Sequence, residues 1–194
     1  MKKQNPKTLE RFNEIHKPDL LNRMRRWNKK SCKIIEQNEL PSLDYYPGSA
    51  YLFGSVGNGK TTAALWRALE WARWRFLSNN FLIDMEFRTV FELLQSIKYQ
   101  FTKDISQEID IIKYYENINL LLIDDLGSIS TSNWGYSILL QILNTRESME
   151  RTTIFTSNLS LQELSKQLND DRIPDRIRSM CKDSIYHFTG PSLR

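Results

Sequence analysis

The sequence predicts an α/β fold built on a parallel sheet, and three observations carry that prediction. Short apolar segments alternate with amphipathic segments of helix length. The run 118 INLLLID 124 is continuously apolar, the pattern of a central strand covered on both faces. A glycine-rich turn joins the first apolar run to the first long helical segment, at 51 YLFGSVGNGKTTAAL 65. Strands that alternate with helices of this length imply a parallel sheet sandwiched between helical layers.

The elements follow in order. Residues 50–53 read as a strand, and 60–78 as a helix with Leu65, Leu69, Ala72 and Phe76 at helical spacing. The segment 81 FLID 84 reads as a strand and 88–101 as a helix. After the apolar run come a helix at 134–150, a strand at 152–158, a helix at 160–168 and a last strand at 184–188. Ahead of all these lies 41 PSLDYYPGSA 50, where two prolines and a glycine punctuate the chain. Residues 1–44 are therefore expected to be an N-terminal helical arm, and 45–194 the domain.

Composition narrows the class. Hydrophobic residues make up 40% of the chain, enough for a core, and no apolar run approaches the roughly 20 residues of a membrane span. The start MKKQNPKTLERF lacks the apolar stretch of a signal peptide, so no membrane association and a cytoplasmic location are expected. Cys32 and Cys181 are too few for a disulfide framework and lack zinc-site spacing; both read as ordinary thiols. The net charge of +4 is unevenly placed: residues 1–40 hold 11 Lys/Arg against 5 Asp/Glu, and the rest hold 16 against 18. The segment 23 RMRRWNKKSCK 33 sets one tryptophan among cations, a composition that suits phosphate neutralisation and base stacking or, equally, a solvated helix face.

The glycine-rich turn carries chemistry. Gly54, Gly59, Lys60 and Thr61 satisfy G-x-x-x-x-G-K-[ST], with Gly57, Asn58 and Thr62 completing the stretch. Glycines let the backbone curl so that several N–H groups point at phosphate oxygens, over the positive end of the following helix. Lys60 reaches the β- and γ-phosphates of a nucleoside triphosphate, and the Thr61 hydroxyl takes a place on Mg²⁺. The second element is 120 LLLIDDLG 127: Asp124 holds Mg²⁺ through its water shell, and Asp125 polarises the attacking water. The third is 152 TTIFTSNLS 160, whose polar end offers Asn158 as a neutral group to position that water. Ser157 or Asn158 as a plain helix cap is the alternative, and Ser160 is equally able to fill that role.

In this order and spacing, GSVGNGKTT, LLLIDDLG, FTSNLSLQEL and DDRIPDRIRSMC resemble the AAA+ ATPases of the DnaC/IstB type, replicative helicase loaders and transposition helpers. The resemblance covers residues 45–194. It implies a three-layer P-loop NTPase core with sheet order 5-1-4-3-2, ATP and Mg²⁺ as cofactors, homo-oligomeric assembly around nucleotide, and contact with single-stranded DNA. It also implies an arginine that completes the site of a neighbouring subunit. Arg176 is the expected finger and Arg172 a nearby sensor or second finger, with Arg178 close by; surface ion pairs with Asp170, Asp171 and Asp175 are the alternative. Arg194, in the final GPSLR, is matched to a terminal arginine that touches nucleotide or DNA.

Departures from the family pattern shape the expectation. Only 36 residues follow Asn158, too few for the helical lid of most AAA+ proteins, a lid that the loader family also lacks. The arm is short beside the domain with which loaders grip their helicase; the two expectations for it are a reduced gripping helix, for instance 19 DLLNRMRRWNKK 30, and a role toward DNA alone. Asp125 stands where most AAA+ proteins carry glutamate, and slow or DNA-stimulated hydrolysis follows. In the helix 66 WRALEWARWRF 76 the tryptophans point to more than one face, which favours core or subunit packing over base stacking. The function expected is an ATP-dependent DNA replication protein that loads a replicative helicase onto single-stranded DNA. The alternatives are an IstB-like transposition helper and a DNA-binding module in which ATP is only an assembly switch.

Overall fold

Five strands form one sheet: β1 (Ala50–Gly54), β2 (Met85–Thr89), β3 (Leu120–Asp124), β4 (Thr152–Ser157) and β5 (Ile185–Phe188). Their spatial order is β2-β3-β4-β1-β5, all four pairings are parallel, and this is the order 5-1-4-3-2 read from the other edge. The computed structural model describes residues 10–37, 47–78, 83–101, 105–129 and 133–189. The chain divides into two compact units, Met1–Pro47 with Thr61–Asp84, and Gly48–Lys60 with Met85–Arg194.

The sheet unit owes its order to burial. Every residue of Thr152–Ser157 is buried, as is Leu120–Ile123, so the two strands tolerate no polar alternation. One face of the sheet, with Tyr51, Leu121, Ile123 and Phe155, shares a core with Leu93, Ile97, Leu139, Leu143, Leu164 and Ile177 from the helices of this unit. Those helices are Val90–Phe101, Ile105–Asn117, Asn133–Ser148, Leu161–Leu168 and Arg172–Cys181. Arg146 lies in the midst of this packing with no exposed surface. Its guanidinium donates to the carbonyls of Tyr115 and Ile118 at 2.8 Å each, to that of Thr152 at 2.6 Å, and to the Thr153 hydroxyl at 2.9 Å. It thereby caps the carbonyl end of the Ile105–Asn117 helix and ties it to the start of β4.

The other unit joins the N-terminal helices to the Lys60–Leu77 helix from Thr61 onward. A π-helical turn, Phe12–His16, runs into helices Lys17–Met24 and Lys29–Glu36. Phe12 and His16 both meet the ring of Phe76, at 5.7 and 4.4 Å between centroids. Leu20, Leu21, Met24, Cys32 and Ile35 are buried. Trp71 is buried as well, the packing role expected for it, and Trp66 donates to Glu70. Burial of Glu70 pushes its carboxyl above the ordinary range. Cys32 and Cys181 are free buried thiols.

Two sequence expectations need correction. The second strand is Met85–Thr89 and not 81–84; Phe81 and Leu82 lie outside the described residues, and Ile83 and Asp84 are in neither helix nor strand. The reason is that β2 is an edge strand whose burial alternates, Met85 and Phe87 inward with Glu86 and Arg88 only partly covered, a weaker signal than the contiguous FLI before it. The helix Ile105–Asn117 was not anticipated at all. No described helix is long and apolar enough to cross a membrane.

Candidate nucleotide-binding site

The glycine-rich turn leaves β1 at Gly54 and enters its helix at Lys60. Gly54, Gly57 and Gly59 have φ of +135°, +88° and +84°, a region that side-chain-bearing residues rarely adopt. At Gly54 space is decisive too: a Cβ would lie 2.2 Å from the carbonyl oxygen of Phe188. The Asn58 side-chain amide donates to that same oxygen at 3.1 Å, so the last residue of β5 braces the turn. Lys60 is buried, and its ammonium donates to the carbonyls of Gly54 at 2.8 Å and Ser55 at 2.7 Å. The curl thus holds a cation at its centre before any anion is considered. Thr61 and Thr62 form the first turn of the helix, whose leading N–H groups have no partner within it.

The acids come together at the ends of β3 and β4. The register that pairs Ile123 with Phe155 carries Asp124 alongside Thr156. The Thr156 hydroxyl, 2% exposed, donates to the Asp124 carboxylate and accepts from the Asp125 backbone N–H at 3.0 Å. Asp125 itself is left-handed, with φ 55° and ψ 47°, and turns the chain from the strand into the short 3₁₀ segment Leu126–Ser128. Ser128 steadies this turn through its N–H and hydroxyl, both on the Asp125 carbonyl. Gly127 is packed so closely that an added Cβ would sit 3.1 Å from Ser157 Oγ. The Asn158 amide reaches Asp125 Oδ1 at 3.5 Å. Three residues singled out in the sequence, Asp124, Asp125 and Asn158, therefore form one cluster.

Asn158 is spared capping duty. Ser160 accepts from the N–H of Glu163, and Glu163 reaches back to the Ser160 N–H, a complete capping box for the Leu161–Leu168 helix. Tyr51, buried on β1 beside β4, donates to the Leu159 carbonyl at 2.7 Å, and burial pushes its phenol up to about 12.

The arginines stand apart from this cluster in their bonding. Arg172 is held by both oxygens of Asp170 and lies over the ring of Tyr136 at 5.2 Å. These bonds keep the Asp170 carboxyl well below the usual carboxylate range. Arg176 donates to Asn144 at 2.8 Å and pairs with Glu147 at 3.0 Å, on the neighbouring Asn133–Ser148 helix. Arg178 pairs with Asp175. All three guanidiniums are about half exposed or more. Pro174 opens the Arg172–Cys181 helix in its first turn, where its missing N–H costs nothing. Arg194 lies outside the described residues.

The sequence profile described as "IstB-like ATP binding protein" matches residues 27–189. The chain belongs to that family. Its fold and motifs are those of the AAA+ ATPases of the DnaC/IstB type. The replicative helicase loader DnaC of Escherichia coli K12 is 30% identical over 90 residues, 46% of this chain and 36% of that one. The DnaC of Buchnera aphidicola from Schizaphis graminum is 33% identical over 92 residues, 46% and 37% of the two chains. The matched stretch thus spans little more than a third of the curated relatives. Among solved structures, DnaI superposes with a TM-score of 0.59 at 25% identity, over 82% of this chain and 84% of that one. A DnaC helicase loader gives 0.58 at 20% identity, over 83% and 89%. The replication initiator DnaA bound to AMPPCP and single-stranded DNA gives 0.61 at 19%, over 97% and 52%. The last two speak to the fold.

The sequence did not single out a role for Thr156 or for the Phe188 carbonyl. Thr156 was visible only as a polar residue at a strand end. A buried hydroxyl opposite an acidic pair one strand away is the signal to seek in other chains.

Proposed function

We propose that this chain binds ATP with Mg²⁺ and acts as an ATP-dependent helicase loader, assembling as a homo-oligomer on single-stranded DNA in the cytoplasm. The observation that carries the ATP site is the pairing of a curled loop around Lys60 with the cluster of Asp124, Asp125, Thr156 and Asn158 at adjacent strand ends. Lys60 exchanges its loop carbonyls for phosphate oxygens, and Gly54, Gly57, Asn58, Gly59 and Thr62 shape the cradle. Thr61 and Asp124 hold the metal, which when bound neutralises charge on the β- and γ-phosphates. Asp125 orients the lytic water as its base, with the Asn158 amide as the neutral partner that fixes its position. Arg176, seconded by Arg172, serves the γ-phosphate of a neighbouring subunit.

The loader reading draws on the similarity to DnaC and to DnaI, whose solved chain is matched over most of its length. The experiment is capture of a tagged replicative ring helicase by the full chain, with and without ATP. Retention that depends on ATP supports a loader, and no retention in either condition rejects it. The family description itself keeps a second reading in view, that of an IstB-like transposition helper. ATP-dependent retention of a transposase in the same assay, with no helicase retained, would select that reading.

A further inference from the structure

Arg172 and Arg176, one turn apart on the Arg172–Cys181 helix, rest on side chains of the Asn133–Ser148 helix. Arg172 lies over Tyr136, and Arg176 reaches Asn144 and Glu147. At 3.6 residues per turn, positions 136, 144 and 147 fall within about 80° of one another around that helix, so they form one stripe. The two arginines are nevertheless held differently. Arg172 is gripped by both oxygens of Asp170, two residues earlier in its own chain segment. Arg176 takes its partners from the facing helix instead, and they are of unlike charge.

The Nε–H of Arg176 donates to the neutral Asn144 Oδ1 at 2.8 Å, while Nη1 stands 3.0 Å from the Glu147 carboxylate. The Glu147 side chain is 22% exposed and that of Arg176 48%. An anion that approaches from outside therefore meets the guanidinium before the carboxylate beneath it. Phosphate is bound best by two parallel N–H groups of the planar fork, an edge that includes Nη1. Asn144 can keep Nε through such an encounter, whereas Glu147 must give up Nη1. While the pair lasts, the carboxylate also offsets the charge that a phosphate would use. A half-exposed ion pair is weak enough to yield.

We infer that Asn144 and Glu147 are positioning residues with opposite effects: Asn144 orients Arg176 toward the nucleotide of a second copy of this chain, and Glu147 is an internal rival of that nucleotide's phosphate. This rests on the reading of Arg176 as the arginine given to a neighbouring subunit. In the separate chain Glu147 holds the guanidinium and keeps its charge partly offset. On assembly the γ-phosphate displaces Glu147 from Nη1, and Asn144 keeps the side chain from swinging away. Removing the carboxylate at 147 therefore strengthens the supply of arginine to the neighbour, and removing the amide at 144 weakens it. A pair that only joined two helices would give a loss at both positions.

The test mixes two full-chain forms with ATP and Mg²⁺ and reads phosphate release. Acceptors carry Arg176→Ala, so they keep a complete site and have no arginine to give. Donors carry Asp125→Asn, which silences their own hydrolysis, and keep Arg176. A further substitution is placed in the donors alone, where it acts only through the arginine they supply. Glu147→Gln in the donors is expected to raise the rate about threefold, and Glu147→Ala to do the same. Asn144→Ala is expected to lower it about fivefold. Asn144→Asp, which sets a second carboxylate against the same guanidinium, should lower it as well. Melting temperatures of all donors should stay close to one another. A rate that Glu147→Gln and Glu147→Ala leave unchanged or lower would overturn the rival role, and an unchanged rate with Asn144→Ala the orienting one. If donors with no further substitution fail to raise the rate above that of acceptors alone, the trans role of Arg176 falls and this inference with it. If they do raise it, that role stands whatever residues 144 and 147 show.

Discussion

Arg146 and Arg176 lie on elements that pack together, yet one has no exposed surface and the other is about half exposed. Arg146 spends its guanidinium on five groups of the fold, four of them the backbone carbonyls of Tyr115, Glu116, Ile118 and Thr152. Arg176 rests on Asn144 and Glu147, side chains that water replaces readily. The contrast teaches that a buried cation is committed to the fold, because removing it strands acceptors away from water. An exposed one remains available, because surface pairs contribute little.

The comparison breaks first at Arg146. Arg146→Met leaves the Tyr115, Ile118 and Thr152 carbonyls short of a donor, and should lower unfolding free energy by about 3 kcal/mol or more. A urea midpoint close to wild type would show that the staple is dispensable. Next comes Thr156→Val, which keeps shape and removes the hydroxyl between Asp124 and Asp125. It should cost about 1–3 kcal/mol, and a metal titration of ATP hydrolysis should show a weakened Mg²⁺ response that Thr156→Ser restores.

Tyr51→Phe should cost about 1 kcal/mol for the lost bond to the Leu159 carbonyl. It also carries a pH signature. The phenol is raised from its ordinary value of 10 to about 12, so its neutral form is favoured in the fold. That contribution is complete below pH 10 and is lost as pH rises through 12. Melting temperatures of the wild type should fall more steeply over this window than those of Tyr51→Phe. The smallest change in stability belongs to Arg176→Ala, below about 1 kcal/mol. If the finger role holds, its ATPase rate in the assembled state nonetheless drops at least tenfold, which mixing with Lys60→Ala subunits would assign to the trans position.

The sequence made some of this legible and hid the rest for physical reasons. The loop at Gly54–Lys60 was readable because its glycine spacing is a local property of the chain. The sheet was readable through Leu120–Ile123, since a doubly covered strand needs no alternation to be recognised. The edge strand β2 was misplaced because half its side chains face outward. The Ile105–Asn117 helix was overlooked because its buried residues, Ile112 and Tyr115 among those described, are few against many polar ones. Thr156 was opaque for a different reason: its partners lie a strand away, and only the register of β3 against β4 brings them together. Arg146 reads in sequence like any helix-end cation. Its burial is a tertiary fact.

The account's central claim is that Asp125, aimed by its left-handed turn and met by Asn158, works on the water that attacks ATP. Single-turnover hydrolysis by Asp125→Asn, measured beside binding of a fluorescent ATP analogue, tests it most directly. The account predicts nucleotide affinity near that of the wild type and a hydrolysis rate lowered about 100-fold or more. Hydrolysis at the wild-type rate would contradict it.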